Sequence, residues 1–253
     1  LLNKHYPMTS SLCSKIDFQR KMDNDLSSLD TNNVYDIIKT TLISQDVVFF
    51  GGYAISLYSQ YMPKKLKHNF EKMPDFDVIA EEPLITSQII KERLNDNGIK
   101  NVKIVQRPKV GEVISPHYEI LVGKDTIAFI YKPLACHSYN IIKEDNFKIK
   151  IATIDTMLSF WLAFLYANRP YYDKDRILCM AKYLFDVQDK NRLAQKGLLR
   201  RFSINCLGHQ ETVEEMRAEK ANKYNELKNK NNTSEYEEWF LRYRQTQKKK
   251  EKN

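Results

Sequence analysis

The sequence predicts an α+β protein: a mixed sheet with flanking helices, followed by an all-helical domain. Three observations carry that expectation. Short apolar runs rich in β-branched and aromatic residues, several alternating with period two, punctuate the first half of the chain. A glycine pair, Gly51-Gly52, joins one of these runs to a segment of helical period. From Thr153 onward the apolar residues recur at 3.6 spacing instead.

Taken in order, Asn33 to Ile43 places Val34, Ile37, Ile38 and Leu42 on one helical stripe. Val47-Val48-Phe49-Phe50 reads as a strand, Gly51-Gly52 as a tight turn, and Tyr53 to Met62 as a helix with Ala54, Leu57, Tyr58 and Tyr61 along one face. A loop carrying Lys64, Lys65 and Lys67 leads to a second strand, Asp75 to Ala80. Pro83 fits the first turn of a helix that ends near Gly98. Val102 to Val105 reads as a strand, and Tyr118–Val122 with Thr126–Tyr131 as a hairpin around Gly123-Lys124-Asp125. Helices then follow over Thr153–Ala167 and Asp173–Val187. Beyond Gln210 the chain is dense in charge and reads as a solvated helix with a basic tail. The expected organisation is an N-terminal helical segment (1–45), a sheet-bearing unit (46–150), a helical unit (151–210) and a charged C-terminal part (211–253).

With 253 residues and 42% hydrophobic content the chain can build substantial cores, which excludes global disorder. A net charge of +8 favours a polyanionic partner, nucleic acid before an acidic membrane surface. No apolar run approaches the roughly 18 residues of a membrane span. Cys13, Cys136, Cys179 and Cys206 lie far apart with no CxxC pair, so they read as reduced, buried thiols in a reducing compartment. The sequence opens on Leu-Leu-Asn without Met and reads as continuing upstream. No HxxxH, GxSxG or Walker loop occurs, so zinc-protease, α/β-hydrolase and P-loop chemistry lack support.

Asp75 and Asp77, one residue apart in a strand, leave the same face while Phe76 points into the opposite layer. Paired carboxylates repel unless a cation sits between them, and magnesium, which shares its shell with phosphate oxygens, is the natural occupant. Gly51 and Gly52 stand where a strand meets a helix N-terminus, a place where backbone can approach phosphates.

Strand, Gly-Gly, helix, loop and Asp-x-Asp strand together resemble the nucleotidyltransferase superfamily with the polymerase-beta-like core. The runs Ile151 to Phe160, Tyr171-Tyr172-Asp173 and Leu178 to Phe185 look like the catalytic poly(A) polymerases of large cytoplasmic DNA viruses. The likeness covers about Val47 to Gln188. It implies transfer of AMP from ATP to an RNA 3′ end, with Mg2+ (or Mn2+) held by Asp75, Asp77 and a third carboxylate. It also implies a nucleotide site at Gly51, Gly52 and Ser56, and a viral, cytoplasmic setting in a factory or virion. A homodimer and a processivity subunit both remain open as partners, and no membrane partner is expected.

Two departures from the superfamily pattern stand out. Gly-Gly replaces the usual Gly-Ser, and the third carboxylate is missing where it is expected. A two-residue turn at Lys124-Asp125 would pair position 130 with position 119, so Ile130 fills the aspartate slot and Glu119 beside it becomes the candidate. Glu119 reads either as that ligand or as a solvated strand residue. The vacancy at Ile130 also motivates a second reading, a degenerate fold serving as an RNA- or partner-binding platform; another acceptor is a third. The Arg-Asp pair that follows Gly-Gly in CCA-adding enzymes is absent from Tyr53-Ala54-Ile55.

Tyr166, Tyr171 and Tyr172, beside Asn168 and Arg169, read either as core packing or as contacts to a base. Arg192, Lys196 and Arg200, at i, i+4 and i+8, would share a helical face and, with Arg201, track an RNA backbone. The first 150 residues hold 20 bases against 18 acids and the remainder 20 against 14, so most of the excess charge lies in the second half.

Overall fold

The computed structural model describes Cys13 and residues 28–63, 75–144, 147–169 and 172–240. The lysine-rich loop with Lys64, Lys65 and Lys67, Tyr171, most of the first 27 residues and the terminal lysines lie outside the described residues.

Helix α1 (Ser28–Ser44) buries Val34, Ile38 and Leu42, the stripe legible in the sequence. Strand β1 (Val48–Phe50) is buried on both faces, which is why its residues are apolar in succession rather than alternating. Helix α2 (Gly51–Tyr58) starts on the next residue and ends in a 3-10 turn, Ser59–Tyr61. Strand β2 (Phe76–Ile79) precedes helix α3 (Pro83–Asp96), whose first position is Pro83, where the missing N–H costs no hydrogen bond. Gly98 closes α3 at φ +83, and the next amide, of Ile99, returns to the Leu94 carbonyl at 3.0 Å.

Strands β3 (Val102–Arg107), β4 (His117–Val122) and β5 (Asp125–Tyr131) form an antiparallel meander. A further hairpin, β6 (His137–Glu144) and β7 (Phe147–Ala152), had no counterpart in the sequence expectations. Its Ser138, Asn140, Lys143 and Lys148 interrupt the apolar pattern that would have marked it. The chain continues through α4 (Ile154–Ala167), α5 (Lys174–Lys190), the two-residue strand β8 (Cys206–Leu207), α6 (Val213–Leu227) and α7 (Ser234–Phe240).

The eight strands form one mixed sheet in the order β3-β4-β5-β2-β1-β7-β6-β8. Strand β1 is antiparallel to β2 and parallel to β7, and β2 is parallel to β5. Phe49 and Phe50 project to opposite faces, as strand neighbours must. The Phe49 ring meets Phe76, which contacts Tyr35 of α1 with centroids 4.7 Å apart. The Phe50 ring stacks at 4.5 Å on Phe160 of α4, which also meets Tyr131. Each such fully buried side chain is worth roughly 1.5–3 kcal/mol in water exclusion, so the two layers of rings clamp the central strands from both sides.

The expected all-helical unit after residue 150 does not stand apart from the sheet. Ile151 and Ala152 belong to β7, Met157, Phe160 and Phe164 of α4 and Leu184 and Val187 of α5 share the sheet's core, and β8 pairs with β6 at the edge. Thr153 caps α4 by accepting from the Thr156 amide, and Asp173 caps α5 from the Arg176 amide at 2.9 Å. Between Val213 and Phe240 the chain is a helical hairpin rather than one solvated helix. Leu227, Tyr236 and Trp239 bury one another between α6 and α7, and Lys109 lies over the Trp239 ring at 4.3 Å. No helix among the described residues is long and apolar enough to cross a membrane.

The reduced-thiol expectation is overturned. Cys13 is bonded to Cys179 and Cys136 to Cys206, with Cα atoms 5.4 and 5.3 Å apart. Sequence separations of 166 and 70 hid both pairs, because only the folded chain brings Cys13 against α5 and β8 beside the start of β6. Alkylation of the denatured chain without reductant is expected to label none of the four cysteines, and after reduction all four, read by intact-mass spectrometry.

Candidate active site

Asp75 immediately precedes β2 and Asp77 lies within it, both half-buried, while Phe76 between them is fully buried in the opposite layer. Across the sheet Asp77 stands level with Phe50 of β1 and Phe129 of β5. Against this pair runs the start of α2. Its N-cap residue, Phe50, is extended and has no side-chain oxygen to offer the first-turn amides.

Gly51 adopts φ +63, and a Cβ built there would overlap Oδ2 of Asp77. Glycine is therefore required twice at this position, by the backbone and by the carboxylate lodged against it. The second glycine, Gly52, is half-buried in the same first turn. Ser56 is farther along α2, and its hydroxyl donates to the Tyr53 carbonyl at 2.7 Å, so it is satisfied within its own helix.

Glu119 is not brought to the aspartates. Strand β5 separates β4 from β2, and Arg107 on the far side, in β3, takes the Glu119 carboxylate through Nε at 2.9 Å and a terminal nitrogen at 2.5 Å. Thr126 donates to its other oxygen at 2.5 Å. Glu119 is only 5% exposed, and these three bonds compensate the burial of its charge. Arg107 and Thr126 were missed in the sequence because their meeting depends on the β3–β4–β5 register.

That register also differs from expectation by one residue. The turn is Gly123-Lys124, with Gly123 supplying the positive φ (+64) that a two-residue hairpin needs. A shift between Ile120 and Leu121 accommodates the extra residue Ile127, and Glu119 then faces Phe129, while Ile130 faces Tyr118. The position beside Asp77 on β5 is consequently Phe129, and Ile130 is fully buried on the other face.

The donor chemistry suits one hard cation: Asp75 and Asp77 are two half-buried carboxylates one residue apart at the start of β2, with Asp77 at the glycine turn. Among the described residues no three His, Cys, Asp or Glu side chains form a metal cluster, so a second ion finds no third protein carboxylate there. Nearby, His117 is fully buried, stacks on Tyr131 at 4.5 Å and donates from Nδ1 to the Ser115 carbonyl at 3.0 Å. Burial holds its imidazole below the ordinary value, which fits the neutral form that this bond uses.

The remaining candidates are distributed elsewhere. Tyr172 stacks on Phe164 at 4.4 Å, which is core packing, and Arg169 pairs with Glu238 of α7 at 3.1 Å. Arg192, Lys196, Arg200 and Arg201 are not on a helical face. Helix α5 ends at Lys190, the Asn191 side chain takes the Val187 carbonyl, and Gly197 at φ +54 breaks any continuation.

The mixed sheet, with its glycine turn set against the Asp-x-Asp strand, is a fold shared with a known structure. No family model and no curated protein matches the sequence. Among solved structures the fold is similar to that of the Megavirus polyadenylate synthase, with a TM-score of 0.56 and 14% identity over 88% of this chain. The chain spans 49% of that protein's length.

Three substitutions test this geometry. Gly51→Ala is expected to cost more than about 2 kcal/mol in thermal or denaturant unfolding, whereas Gly98→Ala, also at positive φ but meeting nothing within 4 Å, costs only about 1 kcal/mol. Glu119→Gln retains an acceptor for Arg107 and is expected to lower stability by about 1–2 kcal/mol in denaturant unfolding, discounted for the partly exposed arginine.

Proposed function

We propose that the chain is a template-independent RNA 3′-adenylyltransferase, which moves AMP from ATP onto an RNA 3′-hydroxyl. The observation that carries this reading is the lodging of Asp77, with Asp75 beside it, against the uncapped glycine start of α2. Acidic oxygens and a helix N-terminus without a side-chain cap from Phe50 meet there, so one place combines the chemistry of a cation site with that of a triphosphate cradle. The similarity to a polyadenylate synthase supports RNA as acceptor and ATP as donor.

In this reading Asp75 and Asp77 hold Mg2+ (or Mn2+), which when bound offsets the charge of the triphosphate. Gly51 and Gly52 let the backbone close on the phosphate oxygens, since a side chain at Gly51 would displace Asp77. The RNA 3′-hydroxyl gives up its proton to solvent as its oxygen forms a bond to the α-phosphorus, the bond from that phosphorus to the bridging oxygen breaks, and pyrophosphate leaves. The β6–β7 hairpin and α4 back the site with packed apolar surface, which keeps β1 and β2 in register.

A second reading is favoured by a specific observation: Phe129 occupies the place beside Asp77 and Glu119 is held by Arg107. In that reading the fold is a platform that binds RNA or a partner without transferring nucleotide.

Labelled RNA incubated with magnesium and each nucleoside triphosphate separately distinguishes the two. A ladder of added adenylates with ATP, reduced at least a hundredfold in rate by Asp77→Asn, is the expected result. RNA that is bound but never lengthened, with Asp77→Asn indistinguishable from the parent, would establish the platform instead.

A further inference from the structure

Between α5 and β8 the chain forms an irregular strap whose backbone is fastened at both ends and in the middle. At its start, the Asn191 side-chain amide donates to the Tyr61 carbonyl at 3.1 Å. In the middle, Asn140 of β6, only 4% exposed, donates to the Leu198 and Arg200 carbonyls at 3.4 and 2.9 Å. Farther on, Ser203 donates to the Tyr139 carbonyl at 2.6 Å and the Tyr139 amide to Asn205. The Cys136–Cys206 disulfide and the β6–β8 pairing close the far end.

This fastened strap presents apolar side chains outward. Leu193 is 94% exposed, Phe202 89% and Ile204 100%. Interleaved with them, Arg192, Lys196 and Arg200 are exposed and Arg201 half-buried. From Lys190 to Gln210 the sequence contains no carboxylate. A single exposed apolar residue needs no explanation, but three on a rigid, acid-free, basic backbone form a surface with definite chemistry.

We propose that this strap is a track for single-stranded RNA, in which Phe202 stacks on a base and the surrounding arginines meet phosphates. The proposal rests on the adenylyl-transfer reading for the identity of the polymer. Single strands present both π-faces and phosphates, so they satisfy the exposed ring and the cations together; a duplex hides its base faces. A purely apolar protein surface would cover Leu193, Phe202 and Ile204 but leave the cations without counter-charges. The strap runs from Tyr61, after α2, along β6 to β8, and those two strands lie three and four strand spacings, about 14–19 Å, from β2. A few nucleotides would bridge that span, so the track would hold the body of an RNA whose 3′ end lies at Asp75 and Asp77.

The test is fluorescence anisotropy of the full chain with labelled single-stranded oligoadenylate and with duplex RNA of equal length, in EDTA without ATP, across a salt series. Phe202→Ala is expected to weaken single-strand binding about tenfold with an unchanged salt slope. The double variant Arg200→Gln, Arg201→Gln is expected to lower the slope of log affinity against log salt by about 1.4. Duplex binding is expected to be weaker and indifferent to Phe202→Ala. Both variants alter solvent-facing groups, and unchanged melting temperatures verify that they fold.

Parent-like single-strand affinity in Phe202→Ala, or an unchanged slope in the double variant, overturns the track. So does self-association in sedimentation that Phe202→Ala abolishes while RNA affinity is unaffected, which would make the strap a protein interface. The two readings fail separately: RNA binding that depends on Phe202 without adenylate addition leaves the track and removes the transfer reaction. Adenylate addition with parent-like RNA KM in Phe202→Ala does the reverse.

Discussion

The structure depends on one close approach, Asp77 of β2 against the backbone of Gly51 at the start of α2. Strand β1 and helix α2 are contiguous in the chain, so the glycine must turn the backbone sharply at a positive φ within one residue. That turn aims the first amides of α2 towards the carboxylate strand. It works only while β1 and β2 keep their register, with Phe50 opposite Asp77. The rings on both sheet faces, Phe49 with Phe76 and Phe50 with Phe160, hold that register by burial, because a slip of one residue would exchange ring for carboxylate across the sheet.

Charge is handled differently in the two acidic places of the sheet. Glu119 is almost fully buried, so its charge needs fixed partners, and Arg107 and Thr126 supply them at hydrogen-bonding distance. Removing either donor would leave desolvated charge without full compensation. Asp75 and Asp77 are half-buried instead, at the mouth of a glycine turn, where solvent or an incoming cation can reach them. Glu119 is thereby committed to architecture, while Asp75 and Asp77 keep partial exposure to solvent. Phe129, placed between the two sets, keeps their roles apart.

Electrostatics divides along the chain in the same way. The sheet-bearing half balances its bases with acids, and the excess positive charge accumulates beyond residue 150. Part of that excess sits on the strap after α5, whose backbone is immobilised through Asn140 and Ser203 while its side chains face solvent. Beyond β8 the α6–α7 hairpin meets the loop before β4 through Lys109 over Trp239 and Lys220 with Glu112. Those contacts are exposed and salt-sensitive, so they position the hairpin more than they stabilise it.

Local patterns in the sequence determined much of the fold. The stripe of α1, the Thr153 and Asp173 caps, the Pro83 start and Gly98 stop of α3, and the glycine turn before the Asp-x-Asp strand all depend on residues a few positions apart. Their physics is helix period, capping and turn conformation, which a chain expresses without distant neighbours. Tertiary structure alone decided what depends on distant residues meeting. It paired Cys13 with Cys179 and Cys136 with Cys206, and joined β6, β7 and β8 to the sheet despite their polar interruptions. It bound Glu119 to Arg107 rather than to the aspartates, and unwound the expected basic helix at Gly197. In each case the outcome turned on strand register or on which surfaces could be buried together: the turn at Gly123-Lys124 and a one-residue bulge at Ile127 put Phe129, not Ile130, opposite Glu119, and the β2–β5 register put the same Phe129 beside Asp77.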